Sequence, residues 1–149
     1  MKREALTLLV ILGACQPDLP DGWEDAVAVG DFIQDECDDT GGTPPDVEAT
    51  VTASDDEPGI RVVGEDIRFR CSQDVEGFYR NTGEAVEVLL QPVNMNPTSV
   101  VKCDCYYRIE AGISEEAPAI VSLYRRSDHY GNDPVETNVP TLIATVEMP

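Results

Sequence analysis

Four residues able to cross-link a chain or hold a metal ion are spread through its middle: Cys37, Cys71, Cys103 and Cys105. Cys103 and Cys105 stand two apart in "VKCDCYYRI", where apolar and polar residues alternate as in a β-strand. Both then point to one face, about 6.5–7 Å apart. That exceeds the roughly 3.5–4.5 Å between the Cβ atoms of a disulfide, so an intact strand keeps them from pairing with each other. Two pairings remain: Cys37–Cys103 with Cys71–Cys105, or Cys37–Cys105 with Cys71–Cys103. A four-cysteine metal site is the competing chemistry. It lacks the Cys-x-x-Cys pairs that zinc sites use, and no Cys-x-x-Cys redox motif occurs. Two disulfides in an oxidising compartment are therefore expected.

Other reactive types are weaker leads. Ser127, Asp128 and His129 are consecutive, whereas a hydrolytic triad is assembled across a fold. There is no Gly-x-Ser-x-Gly elbow, and no catalytic residue is assigned. The acidic runs Asp35-Glu36-Cys37-Asp38-Asp39 and Asp55-Asp56-Glu57 could hold Ca²⁺ through carboxylates. Neither has the Asp-x-Asp-x-Asp-Gly spacing, so no cofactor is expected and a charged loop is the simpler reading. Tyr106 and Arg108 share the outward face of one strand, and Tyr124 and Arg126 share a face of the next. If both faces point outward they form one aromatic-basic ladder, which is either a binding surface or an ordinary set of cross-strand braces. Tyr130 lies nearby in sequence.

The elements that must position these residues follow from period. From residue 47 onward apolar residues recur every second position: Val47 to Ala53, Ile67 to Cys71, Val86 to Leu90, Val101 to Ala111, Ala119 to Leu123 and Leu142 to Met148. Such alternation marks half-buried strands. A shorter strand near Val75–Arg80 leads through "RNTG" into a hairpin. About seven strands in roughly 100 residues are the size and spacing of an antiparallel β-sandwich, of which the immunoglobulin-like topology is one form. Ahead of them, Trp23, Ala26, Ile33 and Cys37 fall on one helical face, and Asp21 with Glu24 resembles a capping box. A short N-terminal helix and an acidic loop are expected over 23–45, and the sandwich over 46–149.

Charge narrows the partners. The 149 residues carry 29 Asp+Glu against 10 Lys+Arg, a net charge of −19. Nucleic acids and anionic membrane surfaces need a basic footprint, so neither is expected as a direct partner.

The N-terminus supplies an address. Lys2 and Arg3 precede the apolar run "ALTLLVIL", which has the length of a signal-peptide core and is too short to span a bilayer. Leu12-Gly13-Ala14-Cys15 follows. This segment resembles the lipobox of bacterial lipoproteins. The resemblance implies that residues 1–14 are a signal peptide removed before Cys15. It further implies a diacylglycerol on the Cys15 sulfur, acylation of the new amino terminus, and residues 15–22 as a lipidated tether. Gln16 in place of Asp implies the outer membrane as destination. Cys15 is then the odd cysteine of five, an anchor, since two or more acyl chains hold a protein stably. Cleavage would move the net charge from −19 to −20 by removing Lys2, Arg3 and Glu4. The sequence thus predicts a lipid-anchored envelope domain with a binding or structural role toward a protein or glycan partner. A carbohydrate-binding module, or a hydrolase with an unrecognised carboxylate pair, is the alternative.

Overall fold

The computed structural model describes residues 17–37, 47–132 and 134–149. The expected signal peptide, Cys15, and Asp38 and Asp39 of the first acidic run lie outside the described residues. The strands are β1 (Val27–Ala28), β2 (Asp31–Gln34), β3 (Thr50–Asp56), β4 (Gly59–Arg70), β5 (Val75–Asn81), β6 (Val86–Pro92), β7 (Asp104–Ile113), β8 (Ile120–Arg125) and β9 (Thr141–Glu147), with one turn of helix, α1 (Pro134–Thr137). They form two sheets, ordered β1-β5-β6-β8-β9 and β2-β7-β4-β3. The fold is the expected mostly-β sandwich.

Alternation builds the core. Along β7 the buried residues are Cys105, Tyr107, Ile109, Ala111 and Ile113, every second one. They meet Ile60, Val62, Ile67 and Phe69 of β4 and, from the other sheet, Val86, Val88, Leu90, Val121 and Leu123. The β5–β6 hairpin turns through Gly83, whose φ of 87° suits glycine, and Asn81 Oδ1 accepts from its N–H at 2.8 Å.

Four expectations are corrected. The short N-terminal helix does not form. Residues 27–28 and 31–34 are strands, added to the edges of the two sheets against β5 and β7. Gly30 stands between them, and the supposed helical face is divided: Trp23 and Ala26 pack on the outer face of the first sheet, Cys37 packs against the main core and Ile33 is exposed. The sandwich is not wholly antiparallel: β6 runs parallel to β8, because β7 crosses to the other sheet between them. An immunoglobulin sheet would put the strand corresponding to β5 beside β8. Leu142 was expected on the inward row of β9 but is 50% exposed. Ala144 pairs with Leu123 and Leu142 with Tyr124, so Ile143 is an extra residue. It turns into the core in Leu142's place. Residues 17–22, expected as a free tether, lie against the first sheet, where Pro20 is fully buried.

Both disulfides form, as Cys37–Cys105 and Cys71–Cys103, with Cα separations of 5.9 and 5.5 Å. This is the second of the two pairings that strand geometry permits. The first bond ties the end of β2 to β7, and the second joins the segments that follow β4 and precede β7.

Candidate functional site

The outer face of the first sheet is covered by the chain's own N-terminal segment. Trp23 is 4% exposed and packs with Phe78, Leu89 and Leu19. Its ring meets Tyr124 edge-on at 5.5 Å, and the Arg80 guanidinium lies over it at 4.2 Å. Arg80 also pairs with Glu87 at 2.6 Å and donates to the Gly22 carbonyl. This cover explains why β6 is buried on both faces: Leu89 and Gln91 lie beneath it.

Arg126 fastens the cover. Its Nη1 donates to the Asp18 carbonyl at 2.6 Å and to Gln91 Oε1 at 3.1 Å. Its Nε donates to the Thr137 carbonyl at 2.7 Å, and Nη2 to Asn138 Oδ1 at 2.9 Å. Arg126 is 1% exposed, so it clamps the N-terminal segment and the α1 turn to the sheet. Burial lowers its pKa, and Asp18 opposes that shift.

The expected aromatic-basic ladder is therefore not assembled. β7 and β8 belong to different sheets. Tyr124 lies under Trp23 and Arg126 is interior. Tyr106 and Arg108 do face outward on the second sheet. There Arg108 Nε donates to Glu65 at 2.8 Å and its Nη1 to Glu110, while Tyr106 Oη accepts from the Val47 N–H at 3.3 Å. Arg61 beside them pairs with Asp31, Asp56 and Glu110 at 2.9, 2.8 and 3.4 Å. These carboxylates raise the pKa of both arginines. This face is an exposed charge lattice of the kind that contributes little to stability.

Ser127, Asp128 and His129 diverge. Asp128 is buried and accepts from Arg70 at 3.1 Å and Gln73 at 2.8 Å. His129 Nδ1 lies 2.5 Å from the Thr137 hydroxyl. No Ser-His contact joins them among the described residues. Asp56 of the second acidic run is engaged by Arg61, and no group of three metal-ligating side chains is placed together among the described residues.

A concentration of cations occurs elsewhere, at the open end of the sandwich. Arg68 and Arg70 end β4, Arg125 ends β8, and Asp104 opens β7 opposite Arg70. With Phe69, Gln73, Ser127, Asp128 and Asn132 they line a cavity of about 210 Å³. A neighbouring cavity of about 260 Å³ shares Arg70, Gln73 and Asp128. Arg125 and Arg126 diverge because successive strand residues face opposite ways. Arg126 turns to the Trp23 side. Arg125 follows the inward row of Val121 and Leu123, but at the last position, where the two sheets part. Its Nη1 donates to the Arg68 carbonyl at 2.9 Å. Arg68 binds Asp104 Oδ2 at 2.5 Å. The sequence reading passed over Arg68, Arg70 and Arg125. The adjacency of Arg125 to Arg126 on a strand was the available clue that one of the two faces away from the other.

Comparisons with protein-family models, with curated proteins and with solved structures find no match to this chain.

Proposed function

We propose that this protein is a lipid-anchored binding domain of a bacterial cell envelope, carried by Cys15 on the outer membrane, with no catalytic role. The observation that carries the reading is Leu12-Gly13-Ala14-Cys15 after a basic and then an apolar segment. Two disulfides support the export it requires, because they persist in oxidising compartments.

The docked N-terminal segment adds a consequence. Asp18 is fixed by Arg126 and Gln91, and it lies three Cα–Cα steps from Cys15, with Gln16 and Pro17 between. A chain spans at most about 3.3–3.6 Å per residue. The anchor thus holds the domain within about 11 Å of the bilayer, with the Trp23 side of the sandwich nearest the lipid. The carboxylates that line the arginine cleft, Asp104 and Asp128, are each bonded to a guanidinium. That arrangement favours binding over a hydrolytic carboxylate pair, which needs room for a water or a sugar between its members.

Cell fractionation tests the anchor. The parent protein is expected in the membrane fraction with labelled fatty acid attached, and Cys15→Ala is expected to carry no label and to be released or mislocalised. Labelled fatty acid still found on Cys15→Ala contradicts the reading.

A further inference from the structure

We propose that the cleft between the ends of β4 and β8 binds the carboxylate group of a small ligand, with Arg125 as its anchor. The inference goes beyond the lipid-anchored reading and does not depend on it.

The chain has 10 Lys+Arg in all and a net charge of −19, yet three arginines line one cavity of about 210 Å³. Two carboxylates share that cavity, and each is engaged: Asp104 by Arg68 at 2.5 Å and Asp128 by Arg70 at 3.1 Å. Arg125 is the third cation. Among the described residues it forms no close ion pair, Asp104 acting on it only at longer range, and its side chain donates to the Arg68 backbone carbonyl.

Burial and a neighbouring cation both disfavour a charged guanidinium in this position. Desolvation lowers its pKa, the Arg68 charge beside it lowers it further, and Asp104 only partly opposes them. Such a cation is stabilised when a negative group joins it. The rest of the guanidinium edge can offer parallel N–H donors, and that fork matches a planar carboxylate. Ser127, Gln73 and Asn132 add neutral hydrogen-bonding groups around the same space.

Size and charge select the ligand. Among the described residues the cleft is lined by three cations and two carboxylates, and an excess of one positive charge suits one negative charge. Each further charge on the ligand would meet the repulsion of a strongly acidic protein. The cavity is smaller than the roughly 300–1,000 Å³ of a site for drug-sized molecules. A small carboxylic acid, or the carboxylate end of a slightly larger one, fits.

The test is an NMR titration of the arginine Nε–Hε resonances of the oxidised full chain. Sodium acetate and sodium phosphate are added at constant ionic strength, with sodium chloride as the blank. Acetate is expected to move the Arg125 resonance saturably, with phosphate weaker. Arg125→Gln is expected to weaken acetate binding at least ten-fold, judged on the Arg68 and Arg70 resonances, without lowering the ligand-free melting temperature. Arg125→Lys keeps the charge but not the fork; it should also bind about ten-fold more weakly, which covers the case in which Arg125→Gln fails to fold. Three outcomes overturn the proposal: acetate shifts no larger than those from chloride, unchanged acetate affinity in both variants, or phosphate binding more tightly than acetate.

Discussion

Removal of the Cys37–Cys105 bond by the double substitution Cys37→Ser and Cys105→Ser should cost about 4 kcal/mol. The two disulfides are nested, with sequence separations of 68 and 32 residues. In the chain-entropy model an isolated loop of either size is worth roughly 4 kcal/mol. Nesting trims the outer term. With Cys71–Cys103 closed, the path from Cys37 to Cys105 runs through that bridge and spans about 36 residues, which leaves it close to the inner loop in value. For a domain between the small and mid-sized ranges, each kcal/mol moves the melting temperature by roughly 4 °C. A fall of about 15 °C is therefore expected by far-ultraviolet circular dichroism under oxidising conditions, with the β spectrum retained at low temperature. A fall of less than about 5 °C would refute the view that this bond constrains the unfolded chain. So would recovery, by peptide mapping without reduction, of a Cys103–Cys105 link from the parent protein.

Arg126→Ala should destabilise by roughly 3–5 kcal/mol, since a buried charged network loses its centre and the Asp18 and Thr137 carbonyls lose their donor. Hydrogen exchange over residues 17–23 should accelerate more than exchange in β7, and equal acceleration would contradict the clamp. Burial raises the phenol pKa of Tyr107 and Tyr124, with the Glu87 charge adding to the rise at Tyr124. A folded-state pKa above the unfolded value means that this stability is present below about pH 10. It is lost as pH rises through the folded values. Absorbance titration should show the Tyr107 and Tyr124 phenols ionising at higher pH than free tyrosine, with this late phase smaller in Tyr124→Phe, and a Tyr124→Phe curve unchanged from the parent would contradict the assignment.

The core of the sandwich was legible because strand period is a local property. The "VKCDCYYRI" stretch placed Cys105, Tyr107 and Ile109 on the buried face and excluded the one pairing that does not form, but β7 begins only at Asp104, after Cys103, and Val101, expected on the same row, is 53% exposed. What escaped the sequence depends on partners far along the chain. Ala26 and Ile33 suited a helix, yet sheet-edge N–H and C=O groups of β5 and β7 recruit their neighbourhood as strands. One inserted residue at Ile143 moved Leu142 off the inward row of β9, which Ala144 and Val146 keep, and period alone cannot locate a bulge. Arg126 shares a strand face with Tyr124, and period alone does not say whether that face is open to solvent or covered. Burial of Arg126 requires acceptors from Asp18, Gln91 and Thr137, which only the folded chain brings together. The arginine cleft is likewise invisible in sequence, since its cations come from the ends of two strands in different sheets.

The anchored-domain account is tested most directly by the intact mass of the protein isolated from the envelope of a bacterial host. The account predicts a chain beginning at Cys15, heavier than its amino-acid sequence from that residue on by a diacylglycerol and an acyl group. A chain that retains residues 1–14, or one that begins elsewhere with Cys15 unmodified, would contradict it.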